Sequence, residues 1–108
     1  MATPQLRDLL AIPYRLRAET IDGPSGTSLI RLAYPELPDC AAEGLDLDDV
    51  LADLERRRMS LILALVERGR RPPMPRPPLS PCDPLWLARA IGADARVIAA
   101  LESVSSVT

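Results

Sequence analysis

The stretch YPELPDCAAEGLDLDDVLADLERRR, residues 34–58, carries the signals that decide the fold of this chain. Pro35 and Pro38 have no backbone N–H to donate to a sheet ladder, so they predict the end of a strand. A few residues later, Asp46 is a good helix N-cap in front of a regular apolar pattern. The stretch therefore predicts the junction at which a sheet ends and a helix begins.

A long helix is predicted downstream of this junction. Asp48 and Asp49 place negative charge at the positive end of the helix dipole, and Asp49 occupies the third helical position, close to a capping box. Gly69 is a natural C-cap, and Pro72 prevents the helix from continuing. Apolar residues recur every three or four positions and predict one stripe that faces a core: Leu47, Val50, Leu51, Leu54, Leu61, Ile62 and Leu65. The arginines Arg56, Arg57, Arg58 and Arg68 are predicted to occupy the rest of the circumference or the last turns.

Upstream of the junction, the apolar pattern changes to a period of two. Tyr14, Leu16 and Ala18 alternate with charged residues, which predicts a strand from Ile12 with one face in water. The segment DGPSGTS, residues 22–28, contains two glycines and a proline and predicts a hairpin connection.

A second strand is predicted over residues 29–34 and a short third one over residues 40–42. Cys40 is expected to fill a small buried space, and Gly44 to turn the chain before the helix. These elements predict an α+β fold, with an antiparallel sheet of three to four strands covered by one long helix.

The flanking regions divide the chain into further segments. Residues 1–11 form an N-terminal segment, residues 12–70 the α+β domain, residues 71–82 a proline-rich arm and residues 83–108 a short helical hairpin. Because proline favours extended backbone, the arm is expected to be a stiff spacer on the domain surface; the alternative is a PxxP ligand that binds a partner.

Composition excludes several classes of function. The chain has 108 residues, a net charge of −2 and no histidine, so Ser-His and Cys-His nucleophile pairs and histidine-containing metal sites are excluded. Cys40 and Cys82 lack metal-type spacing, which favours reduced, structural cysteines over a disulfide. The charged start and the short apolar run at residues 61–66 predict neither a signal peptide nor a membrane span, and hence a cytoplasmic protein. The sequence has no glycine-rich phosphate loop and no CxxC, HExxH or GxSxG motif, so neither a cofactor nor catalysis is expected.

Two groups of residues are weak candidates for chemistry. Asp46, Asp48, Asp49 and Asp53 crowd the start of the long helix, where Asp49 and Asp53 are one turn apart and could share a divalent metal, but helix capping already explains their positions. The tail has the spacing of a helix-turn-helix, in which Arg89 and Arg96 are the candidate DNA-binding residues. A structural helical hairpin is the alternative, because few side chains suited to base contacts are present.

Four features, in order, resemble the HicB family of antitoxins: Tyr14, YPELPDCAAEG (34–44), GLDLDDVLADL (44–54) and ERGRRPPMPRPP (67–78). The family pattern has a strand-borne aromatic, a PDLPGC segment, a GDTLEEA helix start and an end of the form G-x-x-[IL]-P-x-P. The resemblance covers about residues 12–78. In this chain Asp39 replaces the usual glycine before the cysteine, and the tail is shorter than the DNA-binding domains of many members.

The resemblance implies a partial ribonuclease H-like fold without nuclease activity. Family members neutralise HicA, a small toxin with a double-stranded-RNA-binding-like fold that cleaves mRNA, and they commonly oligomerise. DNA-binding autoregulation is a further property that the resemblance implies. A basic partner of this kind would suit a set of acidic residues around the helix start: Glu36, Asp39, Glu43, Asp46 and Asp48.

Two other hypotheses stay open at this point. A non-catalytic interaction or scaffold module of the same fold would serve a larger assembly, and the acidic residues would then only aid solubility. A metal-dependent nuclease would use the aspartates of the helix start.

Overall fold

The computed structural model describes residues 6–77 and 84–105. Its helices are α1 (Leu6–Leu10), α2 (Leu47–Glu67), α3 (Pro84–Ile91) and α4 (Ala95–Ser105), and its strands are β1 (Arg17–Asp22), β2 (Ser28–Ala33) and β3 (Ala41–Gly44). The strands form one antiparallel three-stranded sheet in the order β1-β2-β3. The predicted α+β class with an antiparallel sheet is therefore confirmed.

The predicted hairpin connects β1 and β2. Their register pairs Arg17 with Ala33 at one end and Asp22 with Ser28 at the other. A single 3₁₀ turn, Pro24–Gly26, closes the connection, and two of its residues adopt positive φ angles, 63° at Ser25 and 76° at Gly26. The glycine suits this position because it adopts the left-handed region without a steric penalty.

The predicted start of the first strand is wrong, because pairing begins at Arg17 and not at Ile12. Ile12 and Tyr14 are buried in the core, and the Tyr14 hydroxyl donates a hydrogen bond of 2.7 Å to the Pro73 carbonyl oxygen. Tyr14 thus precedes the sheet and is not strand-borne. Its ring lies 6.1 Å from that of Tyr34, centroid to centroid.

A tight turn after β2 contains both prolines of the junction. The Leu37 N–H donates to the Tyr34 carbonyl at 2.9 Å, and the Tyr34 N–H donates to the Cys40 carbonyl at 3.0 Å. Asp39 has a φ of 56°, a left-handed conformation that favours glycine and that aspartate tolerates better than most residues. β2 ends before Pro35, as predicted.

Gly44 does not turn the chain as predicted. It is the last residue of β3 and pairs with Ile30 of β2. A Cβ atom at this position would lie 2.9 Å from Cγ2 of Val50, which is too close for a real contact. A larger residue there would force the Val50 side chain to shift, so glycine suits the close approach of α2 to the sheet.

Helix α2 begins and ends where the sequence predicts. The Asp46 carboxylate accepts a hydrogen bond of 3.1 Å from the Asp49 N–H, as an N-cap does. At the other end Gly69 has a φ of 73°, and the Arg70 N–H donates to the Leu65 carbonyl at 2.8 Å. These contacts form a Schellman motif, in which the residues after the helix satisfy its last carbonyl groups.

The core lies between the sheet and the helices. Helix α2 packs over β2 and β3 on one side and contacts α1, α3 and α4 on the other. Its fully buried side chains include Leu54, Met59 and Ile62. Leu47 and Leu51 belong to the predicted stripe but are 53% and 38% exposed, so the stripe is not buried at its start.

The described part of the proline arm, residues 71–77, lies on the domain. Pro72 is buried, and the Arg76 guanidinium donates to the Pro13 carbonyl at 3.2 Å and to the Glu36 carboxylate at 2.9 Å. Cys82, residues 1–5 and the rest of the arm lie outside the described residues.

Helices α3 and α4 form the predicted helical hairpin. Gly92 has a φ of 66° at the turn, and the Ala93 N–H donates to the Ala88 carbonyl at 2.9 Å. Ala88, Val97 and Leu101 are buried between the helices and the rest of the core. Over the described ranges, no helix has the length and apolar character needed to span a membrane.

Candidate functional site

Exposed leucines cluster at the junction of β3 and α2. Six large apolar side chains of the described residues are exposed, and three of them lie within residues 45–51. Leu45, in the connection, is 67% exposed, whereas Leu47 and Leu51 lie one helical turn apart on the same side of α2. Single exposed leucines are ordinary, but grouped ones mark interaction sites. We call this group, with its flanking carboxylates, the acidic-leucine surface: Leu45, Leu47, Leu51, Asp46 and Asp48.

The leucines stay exposed because the covering helices contact α2 farther along. Helix α1 accepts a hydrogen bond from Arg58 through the Leu10 carbonyl oxygen, at 2.8 Å. Helix α3 accepts one from Arg56 through the Ile91 carbonyl, at 2.7 Å. The first two turns of α2 are thus covered only where Val50 faces the sheet. The acidic-leucine surface is the uncovered start of the apolar stripe.

The aspartates of this helix start line a shallow depression of about 310 Å³ with Glu43. Asp46 caps the helix, and Asp53 forms ion pairs with Arg57 at 3.1 Å and with Arg56 at 3.8 Å. Nowhere in residues 6–77 and 84–105 do three or more His, Cys, Asp or Glu side chains come together as a metal site would require. The carboxylates of Asp46 and Asp53 thus have structural partners, and the three aspartates show no ligand geometry.

Only part of the predicted acidic set shares this surface. Glu36 lies elsewhere, where its carboxylate accepts hydrogen bonds from the Arg15 N–H at 2.7 Å and from Arg76 at 2.9 Å. The hydrogen bond from the Arg76 guanidinium is the main cause that lowers the pKa of Glu36. Asp39 is exposed in the turn after β2. Glu36 therefore holds the proline arm to the domain, Glu43 lies on β3 beside Arg31, and Asp46 and Asp48 remain at the helix start.

The candidate DNA-binding arginines each face a carboxylate. Arg89 pairs with Glu102 at 2.7 Å, and Arg96 pairs with Glu67 at 2.5 Å. Both arginines are exposed, but the partner carboxylates neutralise their charge locally. The described hairpin therefore offers little positive potential to a phosphate backbone.

A buried ion pair is the polar feature that the sequence analysis missed. Arg58 was expected on the outer circumference of α2, yet it is only 5% exposed. Its guanidinium donates to the Glu55 carboxylate at 2.7 and 3.0 Å and to the Leu10 carbonyl at 2.8 Å, and the Tyr34 hydroxyl donates to the other oxygen of Glu55. The spacing from Leu54 to Arg58 to Ile62 places this arginine on the apolar stripe, which is the signal that could have revealed it.

These groups border a cavity of about 200 Å³, lined also by Pro13, Pro84 and Leu87. No buried side-chain nitrogen or oxygen atom of the described residues lacks a hydrogen-bond partner. Burial, followed by the hydrogen bond to Glu55, raises the pKa of Tyr34 above its ordinary value. The cluster therefore serves chiefly to fasten α1 and the end of β2 to α2.

Cys40 provides a prediction about alkaline pH. Burial raises the pKa of its thiol from 9.0 to about 11. As the pH rises, the thiol ionises first in the unfolded chain. Its contribution to the free energy of unfolding is therefore fully present below pH 9, and the free energy of unfolding should fall by about 1 kcal/mol per pH unit between pH 9 and 11. Urea unfolding at pH 8, 9 and 10 measures this fall.

The control for this prediction is Cys40→Ala, which removes the thiol and leaves all other titrating groups in place. Its stability should fall less over the same interval, although Tyr34 still contributes above pH 10. Equal falls in the two proteins would show that the Cys40 thiol is not responsible.

The described residues thus offer exposed leucines and carboxylates at the start of α2 and, farther along the helix, an arginine held in the core. Grouped exposed apolar side chains are the feature of this site that is unusual for a surface. Comparisons of the chain with protein-family models, with curated proteins and with solved structures found no match.

Proposed function

We propose that this chain is a HicB-like antitoxin that binds and neutralises a HicA-type mRNA-cleaving toxin by protein contact. The observation that carries the proposal is the acidic-leucine surface, in which three exposed leucines lie beside two carboxylates at one junction. Leucine side chains supply apolar area to the centre of an interface, and carboxylates attract a basic partner. An RNA-binding toxin needs a basic face, and this surface would cover it.

The turn after β2 also supports the proposal. HicB-like proteins commonly have glycine before the cysteine of the PDLPGC segment, and Asp39 stands there in this chain. Its φ of 56° is a conformation that glycine adopts most easily. The turn thus has the backbone geometry that the family motif would need, which makes the substitution compatible with the resemblance.

The test is co-expression of the chain with the basic protein encoded by the neighbouring gene. A stable complex in native mass spectrometry, and loss of the neighbour's RNA cleavage on binding, are the expected results. Leu47→Asp should weaken the complex about 30-fold or more, because replacing a hot-spot residue typically lowers the binding free energy by about 2 kcal/mol or more. Asp48→Arg should chiefly slow association and reduce its dependence on salt.

Met74→Asp is the matched control, since Met74 is also a half-exposed apolar residue but lies on the proline arm. It should leave the affinity unchanged. Absence of any complex with the neighbour would overturn the proposal. A complex that tolerates Leu47→Asp would keep the antitoxin function but move the contact to another surface.

A scaffold module of the same fold is the second candidate. Trp86 on α3 is 69% exposed, which gives a second large apolar contact away from the acidic-leucine surface. Capture of the tagged chain from its native host distinguishes the two candidates. The antitoxin predicts one small basic protein at equal stoichiometry, whereas a scaffold predicts an assembly of several different proteins.

A further inference from the structure

Strand β1 is uncovered on both faces. Five of its residues are exposed and only Ile21 is half-buried, because α2 packs over β2 and β3. The strand also forms one edge of the sheet, and no other strand of the described residues lies beyond it. An open edge with a free backbone ladder is a template for pairing with another chain.

The backbone groups that face outward can be assigned from the hairpin. The Gly23 N–H donates to the Thr27 carbonyl at 2.6 Å, which makes these two residues a hydrogen-bonded pair. In an antiparallel ladder such pairs recur at every second residue. Arg17, Glu19 and Ile21 therefore bond to β2, and three other residues of the strand direct their N–H and C=O groups outward: Ala18, Thr20 and Asp22.

We propose that the outer edge of β1 pairs antiparallel with β1 of a second copy of this chain, about a two-fold axis at Ala18. The product is a continuous six-stranded sheet with both α2 helices on the same face. Two-fold symmetry perpendicular to the sheet keeps corresponding faces together, so residues that oppose each other must have the same parity. This requirement leaves few registers.

Charge selects among these registers. With the axis at Ala18, Arg17 lies opposite Glu19 of the partner subunit, and symmetry repeats the pair. With the axis at Glu19, two carboxylates would lie directly opposite each other, which is unfavourable. With the axis at Thr20, Glu19 would face the partner's Ile21 and Arg17 would have no opposing strand residue.

The register at Ala18 also continues a row of side chains of alternating charge that runs across the sheet. Glu43 pairs with Arg31, and Arg31 pairs with Glu19, on the face away from α2. The side chains of Arg31 and Glu19 form an ion pair at 3.9 Å. This row ends at the sheet edge on a carboxylate, and the partner's Arg17 would continue it with a positive charge.

Leu16 provides a second reason for this register. It directly precedes β1 and is 47% exposed. Because alternate side chains of extended backbone share a face, Leu16 lies on the same face as Ala18. The register places it opposite Thr20 of the partner subunit. Pairing would thus cover an exposed leucine, twice, beside the central alanines.

This interface is independent of the proposed antitoxin function. β1 and β3 are opposite edges of the sheet, and the acidic-leucine surface lies at the end of β3. A chain that dimerises without binding the neighbour's protein, or the reverse, would separate the two proposals.

Disulfide cross-linking tests the register directly. In a Cys82→Ser background, with Cys40 buried, Ala18→Cys places the two thiols on the axis. Opposed Cα atoms of a hydrogen-bonded pair are about 5.5 Å apart, within the range of a disulfide. Mild oxidation should give a covalent dimer of Ala18→Cys at micromolar concentration. Glu19→Cys and Thr20→Cys are the matched controls and should stay largely monomeric on a denaturing gel.

Charge reversal tests the same contact without cysteines. Arg17→Glu and Glu19→Arg should each raise the dimer dissociation constant about tenfold in sedimentation, because each places like charges opposite each other twice. The double variant should restore the dimer. A chain that sediments as a monomer at all concentrations, preferential cross-linking of Glu19→Cys or Thr20→Cys, or single reversals without effect would overturn the proposal.

Discussion

Replacing Arg58 with alanine is expected to lower the free energy of unfolding by about 3–5 kcal/mol, since it leaves the largely buried Glu55 carboxylate without its cationic partner. The arginine is 5% exposed, and its three hydrogen bonds join α2 to α1 and neutralise Glu55. The Leu10 carbonyl would also lose its donor. Urea unfolding of the variant against the parent protein measures the loss.

Arg57→Ala is the matched control on the same helix. The Arg57 side chain is 57% exposed and pairs with Asp53 at 3.1 Å. Exposed pairs of this kind contribute less than about 1 kcal/mol. A similar loss for both variants would contradict the structural role assigned to Arg58.

The buried ion pair of Arg58 and Glu55 should be replaceable by apolar side chains of similar volume. A triple variant, Arg58→Met with Glu55→Leu and Tyr34→Phe, removes all three polar side chains of the cluster and leaves only the Leu10 carbonyl without its donor. It should regain most of the stability that Arg58→Ala loses, as buried ion pairs often can be replaced in this way. A triple variant that stays as unstable as Arg58→Ala would mean that the backbone contact to Leu10 dominates.

Local signals predicted the elements of this fold well. Asp46 and Gly69 mark the ends of α2 because capping depends on a few neighbouring residues. The hairpin between β1 and β2 likewise depends on its own glycines and proline. The start of β1 was missed because the alternation from Ile12 was compatible with a strand, whereas burial of Tyr14 against the proline arm decided otherwise.

Contacts between distant segments could not be read from the pattern. The apolar stripe of α2 looks continuous, but α1 and α3 cover only its later turns, so Leu47 and Leu51 remain exposed. The carboxylates of the candidate site were visible as charges near a helix start. The exposure of its leucines could not be predicted, because an apolar stripe does not show which of its residues another segment will cover.

Leu54→Ala is expected to lower the free energy of unfolding by about 2–5 kcal/mol, the usual cost of removing a fully buried leucine side chain. Leu54 has no exposed surface, and it lies between the sheet and the covering helices. Alanine is the best helix former, so lost packing and not lost helix propensity would account for the effect. Thermal and urea unfolding at pH 7 measure it.

Leu51→Ala, one turn earlier on the same helix, is the matched control for Leu54. At 38% exposure it has less packing to lose, and its cost should stay below about 1 kcal/mol. The two substitutions delete the same atoms from the same predicted stripe, so their difference measures where coverage of α2 begins. Equal costs would mean that another segment covers the start of α2. The acidic-leucine surface would then be part of the core, and no partner could bind there.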